Sequence, residues 1–176
     1  MSRVKFNQGW SRNLAGRQKY RQSFKIFLHQ IKLLTNCCTV ILRFLDLRLA
    51  YNDKEKHIRD KVWIAHGMVQ IDIPLVDVLQ QVLAFILSTK QEIIVLDFHR
   101  FEEGLHESLP DIDGRHATIE QLILDYLSAF MVPVEMGVSK SIRELLSMNK
   151  RVFVGYARDK RDRRFFHTNA LHVKKK

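Results

Sequence analysis

The sequence predicts an α/β fold, and three observations carry that expectation. Short apolar runs, Ile41 to Ala50, Lys61 to Gly67, Glu92 to Phe98 and Arg151 to Tyr156, have the length and bounding of strands. Leu75 to Ile86 and Thr118 to about Met131 instead carry apolar residues at helical spacing. The resulting order, β, β, α, β, α, α, β, fits half of a TIM-type (β/α) barrel. At 176 residues the chain is shorter than the ~250 a complete eight-unit barrel needs, so a partial barrel is expected.

Taken in order, Met1 to Lys25 mixes Arg, Lys, Gln, Asn and Ser with scattered Trp10, Tyr20 and Phe24. It reads either as an Arg-rich, acid-poor targeting peptide or as sequence outside the folded unit, and the second fits better. From Ile26 to Leu45 the apolar residues thicken, but His29, Lys32 and Arg43 interrupt them. No run there approaches the ~18 to 20 residues that span a bilayer, so no transmembrane segment is expected. In an extended Ile41 to Ala50, Phe44, Asp46 and Arg48 share one face and Leu45, Leu47 and Leu49 the other. Tyr51 to Asp60 is a charged loop, short for a parallel crossover. The next strand places Val62, Ile64 and His66 on one face and ends at Gly67, which permits a turn.

The chain then turns through Ile71-Asp-Ile-Pro74, and Leu75, Val78, Leu79, Val82, Leu83 and Ile86 predict a helix. Glu92 to Phe98 is β-branched and almost continuously apolar, as strands buried in parallel sheets are, until Asp97 interrupts it near the carboxyl end. His99 and Arg100 read as exposed loop residues. Gly104 to Arg115 is a polar loop containing Pro110 and Gly114. Thr118-Ile-Glu-Gln121 and Ser141-Ile-Arg-Glu144 each have the form of a capping box opening a helix.

Charge divides the chain into three. Residues 1–40 hold eight Lys/Arg and no acid, and residues 158–176 hold eight against two. Of the formal net charge of +10, this leaves −4 for residues 41–157. The expected organisation is a basic extension at 1–40, a domain at 41–157 and a basic tail at 158–176. The basic ends read as solvated extensions, since no nucleic-acid motif accompanies them. Cys37 and Cys38, the only cysteines, are adjacent and poorly placed for an ordinary disulfide, which fits a reducing, cytoplasmic compartment. No zinc-type Cys/His spacing occurs, and no metal or cofactor is expected.

Asp46, Arg48 and His66 together suggest phosphoryl chemistry. Arg offers a permanently charged planar fork for phosphate oxygens, His exchanges a proton near neutrality, and a carboxylate can orient either. The same spacing also fits a strand-end ion pair with an unrelated histidine in a turn. The runs Arg43-Phe-Leu-Asp-Leu-Arg-Leu-Ala50, Ile64-Ala-His-Gly-Met68 and Gln91-Glu-Ile-Ile-Val-Leu-Asp-Phe98 resemble, in order and interval, the X domain of phosphatidylinositol-specific phospholipase C. The likeness is to the small X-domain-containing proteins of animals and spans about Ile41 to Tyr156.

The resemblance implies a phosphoric diester hydrolase acting on a phosphoinositide-like lipid at a membrane surface, in lipid metabolism or signalling. In it Arg48 would stabilise the phosphate, His66 would act as general acid toward the diacylglycerol leaving group, Asp46 would be the family acid, and Asp97 would bind substrate. Arg48 stands where calcium-dependent relatives carry a metal-binding carboxylate, which implies the metal-independent type. It also implies parallel pairing of the two strands holding Arg48 and His66. The family's first catalytic histidine, in a motif like Gly-Ser/Thr-His-Asp/Asn-Ser, has no counterpart before Ile41. His29 and His57 are poor substitutes. Since an acid or base group contributes roughly 10² to 10⁴-fold, very slow turnover is expected. The alternative is a catalytically inactive X-domain fragment held to anionic membranes by its basic ends, whether cytoplasmic or peripheral on the membrane.

Overall fold

The computed structural model describes residues 43–67, 69–137 and 139–171. The basic extension at 1–40, with His29 and the cysteine pair, and the final lysines at 174–176 lie outside the described residues. The first strand, β1 (Arg43–Tyr51), realises the predicted alternation: Leu45, Leu47 and Leu49 are buried, while Phe44 and Asp46 are exposed. A four-residue helix, α1 (Ile58–Lys61), leads into β2 (Val62–His66). Gly67 then takes a φ of 60°, a left-handed conformation suited to glycine, and the chain returns as β3 (Val69–Pro74).

Pro74 ends β3 and is also the N-cap of α2 (Leu75–Ser88). Leu75, Val76, Val78, Leu79, Val82, Phe85 and Ile86 are its buried stripe. β4 (Ile94–Phe101), α3 (Ile112–Leu127), α4 (Ile142–Ser147), β5 (Val152–Tyr156), β6 (Phe166–His167) and α5 (Thr168–Leu171) complete the order. Among the described residues the strands form one six-stranded sheet, ordered β3-β2-β1-β4-β5-β6. The pairs β1/β4, β4/β5 and β5/β6 are parallel. The fold is therefore mixed α/β with a mostly parallel sheet, open in strand order, with β3 and β6 at its edges.

The two strands that carry Arg48 and His66 are neighbours, but β1 and β2 run antiparallel, with Leu49 opposite Ile64 and Tyr51 opposite Val62. This corrects the parallel pairing implied by the resemblance. The physical reason is the ten-residue link at 52–61, too short for a crossover that usually takes a dozen or more residues.

One core fills the space between α2, α3 and the sheet face that bears Leu45, Leu47, Leu49, Leu96, Phe98 and Val154. Burying each such side chain is worth about 1.5 to 3 kcal/mol. A smaller cluster of Val132, Leu145 and Phe166, with Phe153 and Leu171 packed against it, covers the β5–β6 end of the opposite face. Residues 158–171, expected as a solvated tail, are thus largely folded: Phe165 joins the main core and Phe166 the smaller one. No described helix is long and apolar enough to cross a membrane.

Candidate functional site

In the parallel register Asp46 of β1 lies opposite Asp97 of β4, and Asp97 opposite Gly155 of β5. Partners in register share a face, so all three point away from the main core. Asp97 is 1% exposed, whereas the Asp46 side chain is 51% exposed. A Cβ at Gly155 would meet Asp97 Oδ1 at 3.0 Å and Leu171 Cδ1 at 2.7 Å. Glycine is what lets the carboxylate and α5 close over this strand together.

The register between β1 and β4 slips between Leu47 and Arg48. Leu47 faces Phe98, but Arg48 faces Arg100, which leaves His99 as the extra residue of a β-bulge. Bulges re-aim side chains and are frequent beside active sites. Here the bulged residue reaches back across the strands, and His99 Nδ1 lies 2.8 Å from Asp46 Oδ1. Arg48 Nε approaches the same carboxylate oxygen at 3.9 Å. At such exposure this contact is worth no more than about 1 kcal/mol, so its consequence is orientation rather than stability.

A pocket of about 440 Å³ opens on this face. Phe44, Asp46, Asp97 and His99 line it from the strands, and Ala157 with His167, Thr168 and Asn169 lines it from the carboxyl-terminal segment. The backbone N–H of Asn169 donates to His167 Nδ1 at 3.2 Å, and His167 Nε2 lies 3.7 Å from Asp159 Oδ1. Among the described residues, no three His, Cys, Asp or Glu side chains are grouped as metal ligands would be.

Of the residues singled out in the sequence, Asp46 and Asp97 therefore meet in one pocket, and Arg48 adjoins it through Asp46. His66 ends β2, half-buried, and is not among the residues lining the pocket. Burial lowers its pKa and the charge of Arg48 lowers it further, with Asp46 acting in the opposite sense. Sequence reasoning passed over His99 and His167. His99 looked like a loop residue because the bulge through which β4 continues to Phe101 leaves no local signature, and His167 lay in the expected tail at 158–176, where the strand that forms has two residues.

No family model matches this chain, and neither does any curated protein or solved structure.

Proposed function

We propose that this chain is a phosphoric diester hydrolase of the phosphatidylinositol-specific phospholipase C type, working on a wall of a TIM-type barrel without a metal. The observation that carries the reading is the convergence of Asp46, Arg48, Asp97 and His99 on one face of parallel β1 and β4. Barrel enzymes gather functional groups toward the carboxyl ends of parallel strands. Two further features support it: helices cover the opposite face, and β1, β4, β5 and β6 follow one another in chain order across the sheet.

In this reading Arg48 holds the phosphate, whose charge its guanidinium matches in geometry. The reaction is internal attack of a neighbouring hydroxyl of the headgroup on phosphorus, with expulsion of the lipid alcohol. A lipid substrate places the pocket at a membrane surface, and the basic residues of 1–40 would draw the chain there, each Lys or Arg near an anionic surface adding about 1 kcal/mol. The same charge favours a second reading, an inactive fragment that binds anionic membranes without turning lipid over.

The test is to incubate the purified chain with phosphatidylinositol in mixed micelles and follow release of the phosphorylated headgroup by ³¹P NMR. Slow release, unchanged by a chelator and lowered about 10²-fold or more in Arg48→Ala, is the expected outcome. Binding to anionic vesicles with no release at all, and no difference between the wild-type chain and Arg48→Ala, would favour the second reading.

A further inference from the structure

We propose that residues 26–41, which lead into β1, lie across the apolar row of Phe44, Val95 and Phe153 and form a wall of the pocket beside it. The inference concerns how the chain packs on itself and holds whether or not the pocket cleaves a phosphodiester.

The row follows from the register. Phe44 of β1 pairs with Val95 of β4, and Val95 with Phe153 of β5, so the three share the face opposite the main core. The smaller apolar cluster reaches this face only at the β5–β6 end, where Phe153 packs against it. Val95 is nevertheless 7% exposed, and Ile93, two residues before it, 5%, although neither belongs to either apolar cluster of the described residues. What covers them therefore lies outside those clusters. Parallel strands are stable when both faces of the sheet are covered, so this stretch calls for an apolar partner.

Tether and pattern together name the occupant. β1 begins at Arg43, so residues 26–41 end beside Phe44, at the edge of the row. Of the eight Lys and Arg in residues 1–40, seven precede Ile26, and residues 26–41 keep only Lys32 and no acid. At helical spacing Phe27, Ile31, Leu34, Cys38 and Ile41 fall on one stripe, opposite His29, Lys32 and Asn36. A helix of that length extends about 24 Å, whereas three neighbouring strands span about 10 Å, so the stripe can cross the whole row. Such a helix is marginal alone in water and gains its stability from an apolar face to pack on. Phe44 also lines the pocket with Asp46 and Asp97, so a segment seated on the row narrows that pocket from the amino ends of the strands.

The two cysteines report the docking, because the stripe contains Cys38 and leaves Cys37 at its margin. Full-length Cys37→Ser and Cys38→Ser chains, each with one thiol, would be labelled with a maleimide in buffer and in urea. Cys38 should react at least about 10²-fold more slowly in buffer than in urea, with Cys37 slowed less. Adding Phe44→Asp to Cys37→Ser should bring Cys38 within about tenfold of its urea rate, whereas Phe44→Leu should keep it protected. Phe44 is 37% exposed, and circular dichroism melts would show whether its variants fold. Leu34→Asp makes the same test from the side of the segment. Equal rates in buffer and urea would overturn the proposal, as would a Cys38 still protected in a folded Phe44→Asp or Leu34→Asp chain. Protection that fades on dilution, with a dimer by size exclusion, would give the row to a second copy. Protection only in the presence of anionic vesicles would give the segment to a lipid surface. Either result overturns docking within one chain.

Discussion

The Tyr156 hydroxyl and His116 Nδ1 lie 2.7 Å apart, and the Phe101 and Phe165 rings pack against this pair. His116 is 1% exposed, and burial, helped by the nearby charge of Arg158, lowers its pKa to about 4. Arg158 in turn is fastened by Glu107, at 2.9 Å, and by Asp113. A histidine ordinarily titrates near 6.5, so between that value and about 4 the unfolded chain binds a proton that the folded chain does not. Stability must then rise with pH across this window: the contribution is complete above about 6.5 and is lost as pH falls toward 4. The limit for the full shift is about 3 kcal/mol. Urea unfolding followed from pH 7.5 to 4.5 should show the decline, and His116→Gln should flatten it. An equal slope in that variant would assign the acid sensitivity elsewhere.

At the scale of elements, α4 shows what a short helix needs. It has six residues and one buried side chain, Leu145, so packing contributes little. Its start is secured by Ser141, whose hydroxyl accepts from the Glu144 backbone N–H, while the Glu144 carboxylate accepts from the Ser141 backbone N–H at 2.8 Å. These contacts hold the Glu144 carboxyl down at about 2. Ser141→Ala should cost about 1 kcal/mol, read as a lower urea midpoint at unchanged m-value. That capping box was legible because its geometry is local. The same pattern at Thr118-Ile-Glu-Gln121 misled, for α3 begins at Ile112, and the Thr118 hydroxyl instead donates back to the Gly114 carbonyl at 3.0 Å in mid-helix. Burial of Ile112, His116 and Ile119 on one face outweighs the glycine that made this stretch look like a loop. Tertiary pairing explains the other differences. β3 is an edge strand that tolerates Pro74 because it pairs only with β2, and β6 exists only where β5 offers Gly155 and Tyr156 to pair with.

At the scale of the whole molecule, the site was legible in part for the same reason. Asp46 and Arg48 belong to one strand, where alternation alone puts them on a common face. Asp97 could be placed near them only by supposing that two parallel strands are neighbours, which holds for β1 and β4. The contributions of His99 and His167 depend on a register slip and on the path of the chain after β5, neither of which periodicity records. The net charge misled at that end: the cations of 158–164 suggested solvent, yet Arg158 is buried in ion pairs and Arg161 donates to the Phe165 carbonyl at 3.1 Å.

That segment closes the fold on both faces, which makes its removal a test of the architecture. Phe165 stacks on Tyr156 with ring centroids 5.7 Å apart on the main-core side, and Phe166 meets Phe153 at the same separation on the other. Phe165 lies in the bend before β6 and Phe166 opens the strand, and these two consecutive residues complete two clusters. Burial of two such rings is worth roughly 3 to 6 kcal/mol, against a total of about 5 to 15 kcal/mol for an ordinary domain. Loss of β6 would also leave β5 as an unpaired edge and strip His167, Thr168 and Asn169 from the pocket. A chain ended after Ala157 should therefore lose its cooperative thermal transition, bind a dye that reports exposed apolar surface, and aggregate at concentrations where the full chain stays dispersed. The milder Phe165→Ala should keep the transition but lower it by about 3 to 5 kcal/mol, as other truncations of buried aromatic rings do. A cooperative melt in the shortened chain at the temperature of the full one would show that β1 to β5 with their helices suffice, and that residues 158–171 only lie against a sheet already stable without them.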